Sequence, residues 1–190
     1  MVVAGPNGSG KSTYYKNAMQ TEFPKYINAD NIAQTLRAAT KDRERLAAEL
    51  ADAERGRLLS LGESFAFETV FSRTEHWLAF ILNALKIGYR VELHFFCTAD
   101  PMINVARVQA RVEAGGHSVP TDKIIKRYSR AIQTAVLAKP LVDELWVYDN
   151  TEDGQSPLLV GRFVQGKLRD TAGSIPKWTL PFFLGPASVQ

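Results

Sequence analysis

The sequence predicts a three-layer α/β fold: a central, mainly parallel five-stranded sheet between helices, with a helical lid and a small C-terminal hairpin. Two observations carry that expectation. Short apolar runs alternate with amphipathic or Ala- and Leu-rich stretches, the pattern of strands joined by crossover helices. The first apolar run also leads straight into Gly5-Pro6-Asn7-Gly8-Ser9-Gly10-Lys11-Ser12, a glycine-rich turn that opens a helix.

In chain order, Val2 to Ala4 read as the first strand and Lys11 to Met19 as a helix. Lys25 to Ala29 form a second strand ending at Asp30, followed by helices over about 31 to 39 and 42 to 61, the latter rich in helix-forming residues. Ser64 to Glu68 are the third strand, Glu75 to Lys86 an amphipathic helix stopped by Gly88, and Tyr89 to Cys97 the fourth strand. Asp100 and Pro101 are the residue types favoured at an N-cap and first helical position, so the next helix runs through Glu113 to Gly115-Gly116. Another starts at Thr121 or Asp122 and continues to about Lys139. Glu144 to Tyr148 form the fifth strand, ending at Asp149-Asn150, and Leu158 to Phe163 with Lys167 to Arg169 flank Gln165-Gly166 as a hairpin. Residues 1–170 are expected to form one domain. Residues 171–190, with Pro176, Pro181 and Pro186, are expected to be a weakly structured tail. The first strand is short for a central one, which suggests a longer native N-terminus.

The chain has 190 residues, 45% hydrophobic and 23% charged, the balance of an ordinary globular domain. No apolar run approaches the ~18–20 residues of a membrane span. The N-terminus is already committed to a strand and loop, so no cleaved leader is expected. The single Cys97 lies in an apolar run and cannot form an internal disulfide, which points to a reduced core residue and a cytoplasmic location. A net charge of +3 does not by itself choose a partner. Arg107, Arg111, Lys123, Lys126, Arg127 and Arg130 are gathered in one segment, as an anion site or a solvated helical face. Neither a membrane nor a nucleic acid is expected as partner.

The glycine-rich loop fits the phosphate cradle of a P-loop NTPase. Its glycines allow backbone N–H groups to converge on phosphates, and the following helix adds its dipole. Gly5, Pro6, Asn7, Gly8, Ser9, Gly10, Lys11, Ser12 and Thr13 are therefore the expected ATP-binding segment, with Lys11 reaching the β- and γ-phosphates and Ser12 ligating Mg²⁺.

Asp30 and Glu68 fall at strand ends, where ligands sit in such sheets. A kinase needs a carboxylate to take the acceptor's proton, and others to support Mg²⁺. Asp30 is the candidate base; it is equally of the type that caps a helix starting at Asn31. Glu68, beside Thr69, could bind substrate, support Mg²⁺ through water, or cap Thr69. Asn150 is a candidate adenine contact.

Arg107 and Arg111 share one helix face, and Arg127 and Arg130 another. With the Gly115-Gly116 hinge between them, the segment of about 111–127 has the layout of a lid closing over ATP. Arg111 and Arg127 are the candidates for stabilising charge on the transferred phosphoryl group, and His117 for contacting substrate. The expected activity is ATP-dependent transfer to a hydroxyl of a small-molecule substrate. The alternative is a P-loop NTPase acting as a switch or in nucleic-acid processing.

The ordered set Ala4 to Thr13, Ile27-Asn-Ala-Asp30, Phe65-Ala-Phe-Glu-Thr69, Gly88-Tyr-Arg-Val91, Arg111-Val112, Gly115-Gly-His117, Val119-Pro120, Arg127-Tyr128 and Val147-Tyr-Asp-Asn150 resembles the zeta-toxin-like P-loop kinases over about residues 2 to 150. The resemblance implies an adenylate-kinase-like core and, from the best-known members, a UDP-N-acetyl amino sugar phosphorylated on a sugar hydroxyl. It matches Lys11 and Ser12 to the ATP and Mg²⁺ residues, Asp30 to the base, Glu68 to the substrate-side acid, and Arg111 to the first lid arginine. The Gly-Gly-His lid departs from the toxin pattern, which leaves the second lid residue open between His117 and Arg127 and the nucleotide-sugar acceptor open with it. An antitoxin partner is compatible with the resemblance.

Overall fold

A computed structural model describes residues 1–37, 40–116 and 118–184. His117, one of the expected substrate contacts, lies outside the described residues, as do residues 185–190 of the expected tail. The elements are β1 (Val2–Ala4), α1 (Lys11–Tyr14, continued by a π-helical turn Tyr15–Met19), β2 (Tyr26–Ile27), α2 (Ala29–Thr35), α3 (Thr40–Leu61), β3 (Ala66–Thr69), α4 (Thr74–Lys86), β4 (Glu92–Cys97), α5 (Pro101–Glu113), α6 (Thr121–Ala138), β5 (Glu144–Asp149), β6 (Leu158–Val164), β7 (Lys167–Thr171), a 3₁₀ turn (Lys177–Thr179) and α7 (Leu180–Leu184).

Strand alternation makes the layers. In β1, β4 and β5 the side chains of Val2, Ala4, Leu93, Phe95, Cys97, Leu145 and Val147 enter one core, against α4, α6 and α7. Val3, Phe96 and Tyr148 point to the opposite face, where Tyr15 and Met19 cover them. The strand order is β2-β3-β1-β4-β5-β6-β7, with the first five strands parallel. β1 is an interior strand although it has three residues, because β3 and β4 pair with all of them.

The sheet has seven strands, where five were expected. The C-terminal hairpin is no separate appendage: β6 pairs antiparallel to β5, and β7 to β6. The expectation of a weakly structured tail is also corrected, as far as residue 184. Phe182 and Thr179 are fully buried, and Trp178 Nε1 donates to Asp149 Oδ2 at 2.6 Å. Pro181 does not break α7, because it lies in the first turn where a missing N–H costs nothing.

The second strand is shorter than expected, for a local reason. Asn28 leaves the sheet and caps α2, its side chain accepting from Asp30 N at 2.8 Å. Asp30 therefore sits in the first helical turn, and the capping alternative for it falls away. Among the described residues, no helix is long and apolar enough to cross a membrane.

Candidate active site

The phosphate loop is clamped from three sides. Gly5 has φ of 145°, and a Cβ there would lie 2.0 Å from Phe96 O. Gly10 has φ of 85°, and its Cβ would meet Asn150 Nδ2 at 2.1 Å. Gly5 admits only glycine, because its clash is with fixed backbone; at Gly10 the left-handed φ favours glycine, and a Cβ would displace the Asn150 amide. Asn104, buried at the start of α5, donates through Nδ2 to Asn7 O at 2.7 Å, while its Oδ1 accepts from Thr98 Oγ1. Sequence reasoning did not single out Asn104; an amide three residues past a helix start gives no signal by itself. Asn150 Nδ2 donates to Ser9 O at 3.0 Å. This residue was expected to touch adenine. It does lie beside the nucleotide loop, but its amide supports the loop itself.

Lys11 is 5% exposed, and its Nζ donates to Pro6 O at 2.9 Å. Burial pulls its pKa down, opposed by the charges of Glu68 and Asp30 and assisted by that of Arg111. The charges acting on this ammonium thus come from three further segments of the chain. Glu68 Oε1 lies 3.7 Å from Lys11 Nζ, and Oε2 accepts from Ser12 Oγ at 2.7 Å. Thr69 engages the chain locally: its hydroxyl accepts from Phe71 N at 3.0 Å, and its carbonyl from Gly5 N at 3.2 Å.

The basic segment divides. Arg127 Nη1 donates to Asn7 Oδ1 at 3.2 Å, which places one arginine of α6 on the phosphate loop. Arg111 ends α5, where its carbonyl accepts from Gly116 N at 2.8 Å and Gly115 turns the chain with φ of 87°. Arg107 does not join them, although it is one turn from Arg111. It donates to Asn150 O at 2.7 Å, to Thr151 O at 3.1 Å and to Asp153, and so braces the loop after β5. Beside that loop a cavity of about 530 Å³ opens, lined by residues that include Ala99, Asn150, Thr151, Gln155, Leu159 and Pro176.

The residues present fit a nucleotide and its metal. Ser9 Oγ is buried without a hydrogen-bond partner within the loop that a phosphate would face. The loop glycines bring backbone within reach of a ligand, and Lys11 supplies the charge. Among the described residues, no three His, Cys, Asp or Glu side chains gather as a metal site. Mg²⁺ needs none, since it is commonly held by one or two protein oxygens together with substrate phosphates. Ser12 and Glu68 supply such oxygens.

Residues 1–134 match the family model described as AAA domain. The AvrRxo1-ORF1:-ORF2 complex with ATP superposes with a TM-score of 0.69 at 16% identity, over 89% of this chain and 60% of that one. The chain thus spans less than two thirds of that relative. The PezAT chromosomal toxin–antitoxin system of Streptococcus pneumoniae matches with a TM-score of 0.62 at 15% identity, over 99% and 79%. A putative kinase from Chloroflexus aurantiacus matches with a TM-score of 0.59 at 16% identity, over 82% and 90%. At these identities the likeness is one of fold: a mainly parallel sheet between helices, with the glycine-rich loop following β1.

Proposed function

The chain belongs to the AAA domain family, and on that premise we propose that it is an ATP-dependent kinase that transfers the γ-phosphate to a hydroxyl of a small substrate. The observation that carries this reading is the surroundings of Lys11. The ammonium lies against the phosphate loop, faces Glu68 at 3.7 Å, and shares its field with Asp30 and Arg111.

The backbone N–H groups of the loop and Lys11 hold the phosphates of ATP, and the cavity beside Asn150 receives the base. Ser12 and Glu68 would hold Mg²⁺, which would supply charge neutralisation at the phosphates. Asp30 accepts the proton of the acceptor hydroxyl as its oxygen bonds to the γ-phosphorus and the bond to the β-phosphate oxygen breaks, releasing ADP. Arg111 and Arg127 stabilise charge on the phosphoryl group in transit. Zeta-toxin-like chemistry, and the toxin–antitoxin neighbour, make UDP-N-acetyl amino sugars the first acceptors to try. A cytoplasmic location fits the need for ATP and the buried, unpaired Cys97.

The test is label transfer from γ-labelled ATP across nucleotide sugars, free sugars, nucleosides and polyols, with Lys11→Ala alongside. Label on an acceptor, lost in Lys11→Ala, supports the kinase. Label released only as inorganic phosphate with every acceptor points to an NTPase switch. ATP binding that is absent, or unchanged in Lys11→Ala, overturns the reading.

A further inference from the structure

Glu68 is held more firmly than one metal-side carboxylate requires. Its Oε2 accepts three hydrogen bonds: from Tyr26 Oη at 2.6 Å, Ser12 Oγ at 2.7 Å and Asn28 Nδ2 at 2.9 Å. Its Oε1 faces Lys11 Nζ at 3.7 Å, a Coulombic distance. Two of the three donors, Tyr26 of the short edge strand β2 and Asn28 just after it, have no place in the reading above. The pairing Tyr26↔Ala66 and Ile27↔Phe67, carried on by one residue, brings Asn28 level with Glu68.

We propose that Tyr26 and Asn28 are positioning residues: together they fix the rotation of the Glu68 carboxylate, and Asn28 also fixes Asp30 relative to it. The inference rests on the kinase reading and adds to it the device that sets the two acids in register.

Asn28 performs both tasks with one amide. Its Nδ2 donates to Glu68, and its Oδ1 accepts from Asp30 N at 2.8 Å. The candidate base is thereby tied, through its own backbone, to the carboxylate beside Ser12 and Lys11. Asn28 is 6% exposed, so water competes little for either bond. Tyr26 is braced in turn. Its ring stacks on Tyr15 at 3.5 Å and 8°, and Tyr15 lies in the π-helical turn that continues the phosphate-loop helix. Three donors on one oxygen leave the carboxylate no equivalent rotation, and a fixed oxygen costs no reorganisation when charge moves.

The experiment uses the full chain and ATP turnover to water, with ADP affinity by calorimetry and melting temperature as companions. Tyr26→Phe keeps the ring on Tyr15 and removes the donor. It is expected to lower kcat roughly tenfold, with ADP affinity within about twofold of the parent. Asn28→Asp keeps an oxygen to cap α2 but turns an acceptor toward Glu68, so its kcat loss should be larger. The deciding comparison is Tyr26→Phe in a Glu68→Gln background. A positioning residue that acts through Glu68 loses its effect there, whereas a merely structural tyrosine costs the same in both backgrounds. Equal losses, or an unchanged kcat in both single variants, overturn the proposal while the kinase reading stands. A parent protein that neither binds ADP nor turns over ATP overturns both.

Discussion

Asp30, in the first turn of α2, and Glu68, near the end of the neighbouring strand β3, feel the same lysine, yet the fold treats them in opposite ways. Glu68 accepts from Ser12, Tyr26 and Asn28 and faces Lys11. Asp30 is exposed in the first turn of α2, its backbone held by Asn28 and its carboxylate without a hydrogen-bond partner among the described residues. On the proposed kinase reading, the difference suits two kinds of work. A carboxylate that must take a proton has to be reachable and unsaturated; one that orients metal and phosphate has to be locked. The arginines of α5 also part in position: Arg107 donates to the loop after β5, whereas Arg111 lies in the last turn of the helix, its carbonyl accepting from Gly116 N.

The largest expected effect comes from the exposed acid. Asp30→Asn should cut phosphate transfer roughly 10²-fold or more, with ATP affinity and melting temperature near those of the parent. A fall in melting temperature with turnover preserved would make Asp30 a helix-start residue and erase the contrast.

Arg111→Lys keeps the charge and loses the planar fork, so turnover should drop some tens of times with little change in ATP affinity. Steady-state kinetics on the variant read this directly. A fully active lysine variant would show that only charge matters at that lid position.

Glu68→Gln tests the locked acid. Activity should fall about tenfold, and stability should fall as well, by roughly 1–3 kcal/mol, because buried donors lose a charged acceptor. Denaturant melts beside the Asp30→Asn protein would show the two acids differing in stability as well as in rate.

The smallest effect on activity concerns His94. His94 is 4% exposed between Trp146 and Tyr148, and burial pushes its pKa down to about 4. The unfolded chain takes up that proton near pH 6.5, the folded one only near 4. Stability is therefore undiminished above about pH 6.5 and falls between there and 4, by up to about 3 kcal/mol. His94→Phe should flatten that slope in denaturant melts at pH 7.5 and 4.5, and leave turnover at pH 7.5 unchanged. A slope that persists would assign the acid sensitivity elsewhere.

The sequence by itself determined what depends on neighbours along the chain. The glycine spacing before Lys11 and Ser12, the Asp100-Pro101 helix start and the alternating strands were all legible, because covalent spacing and local backbone chemistry decide them. So was the gathering of acids and lid arginines as candidates. Tertiary structure decided how those candidates are used. Asn104, Asn150 and Tyr26 act across 97, 141 and 42 residues, and nothing in their own surroundings in sequence announces it. The same holds for the hairpin and tail: alternation predicted strands at β6 and β7, but only the exposed edge of β5 and the core waiting for Phe182 made them part of the sheet and its cover. A hydrogen bond between distant segments has geometry only once the chain has folded, and that geometry separates a locked carboxylate from a reachable one.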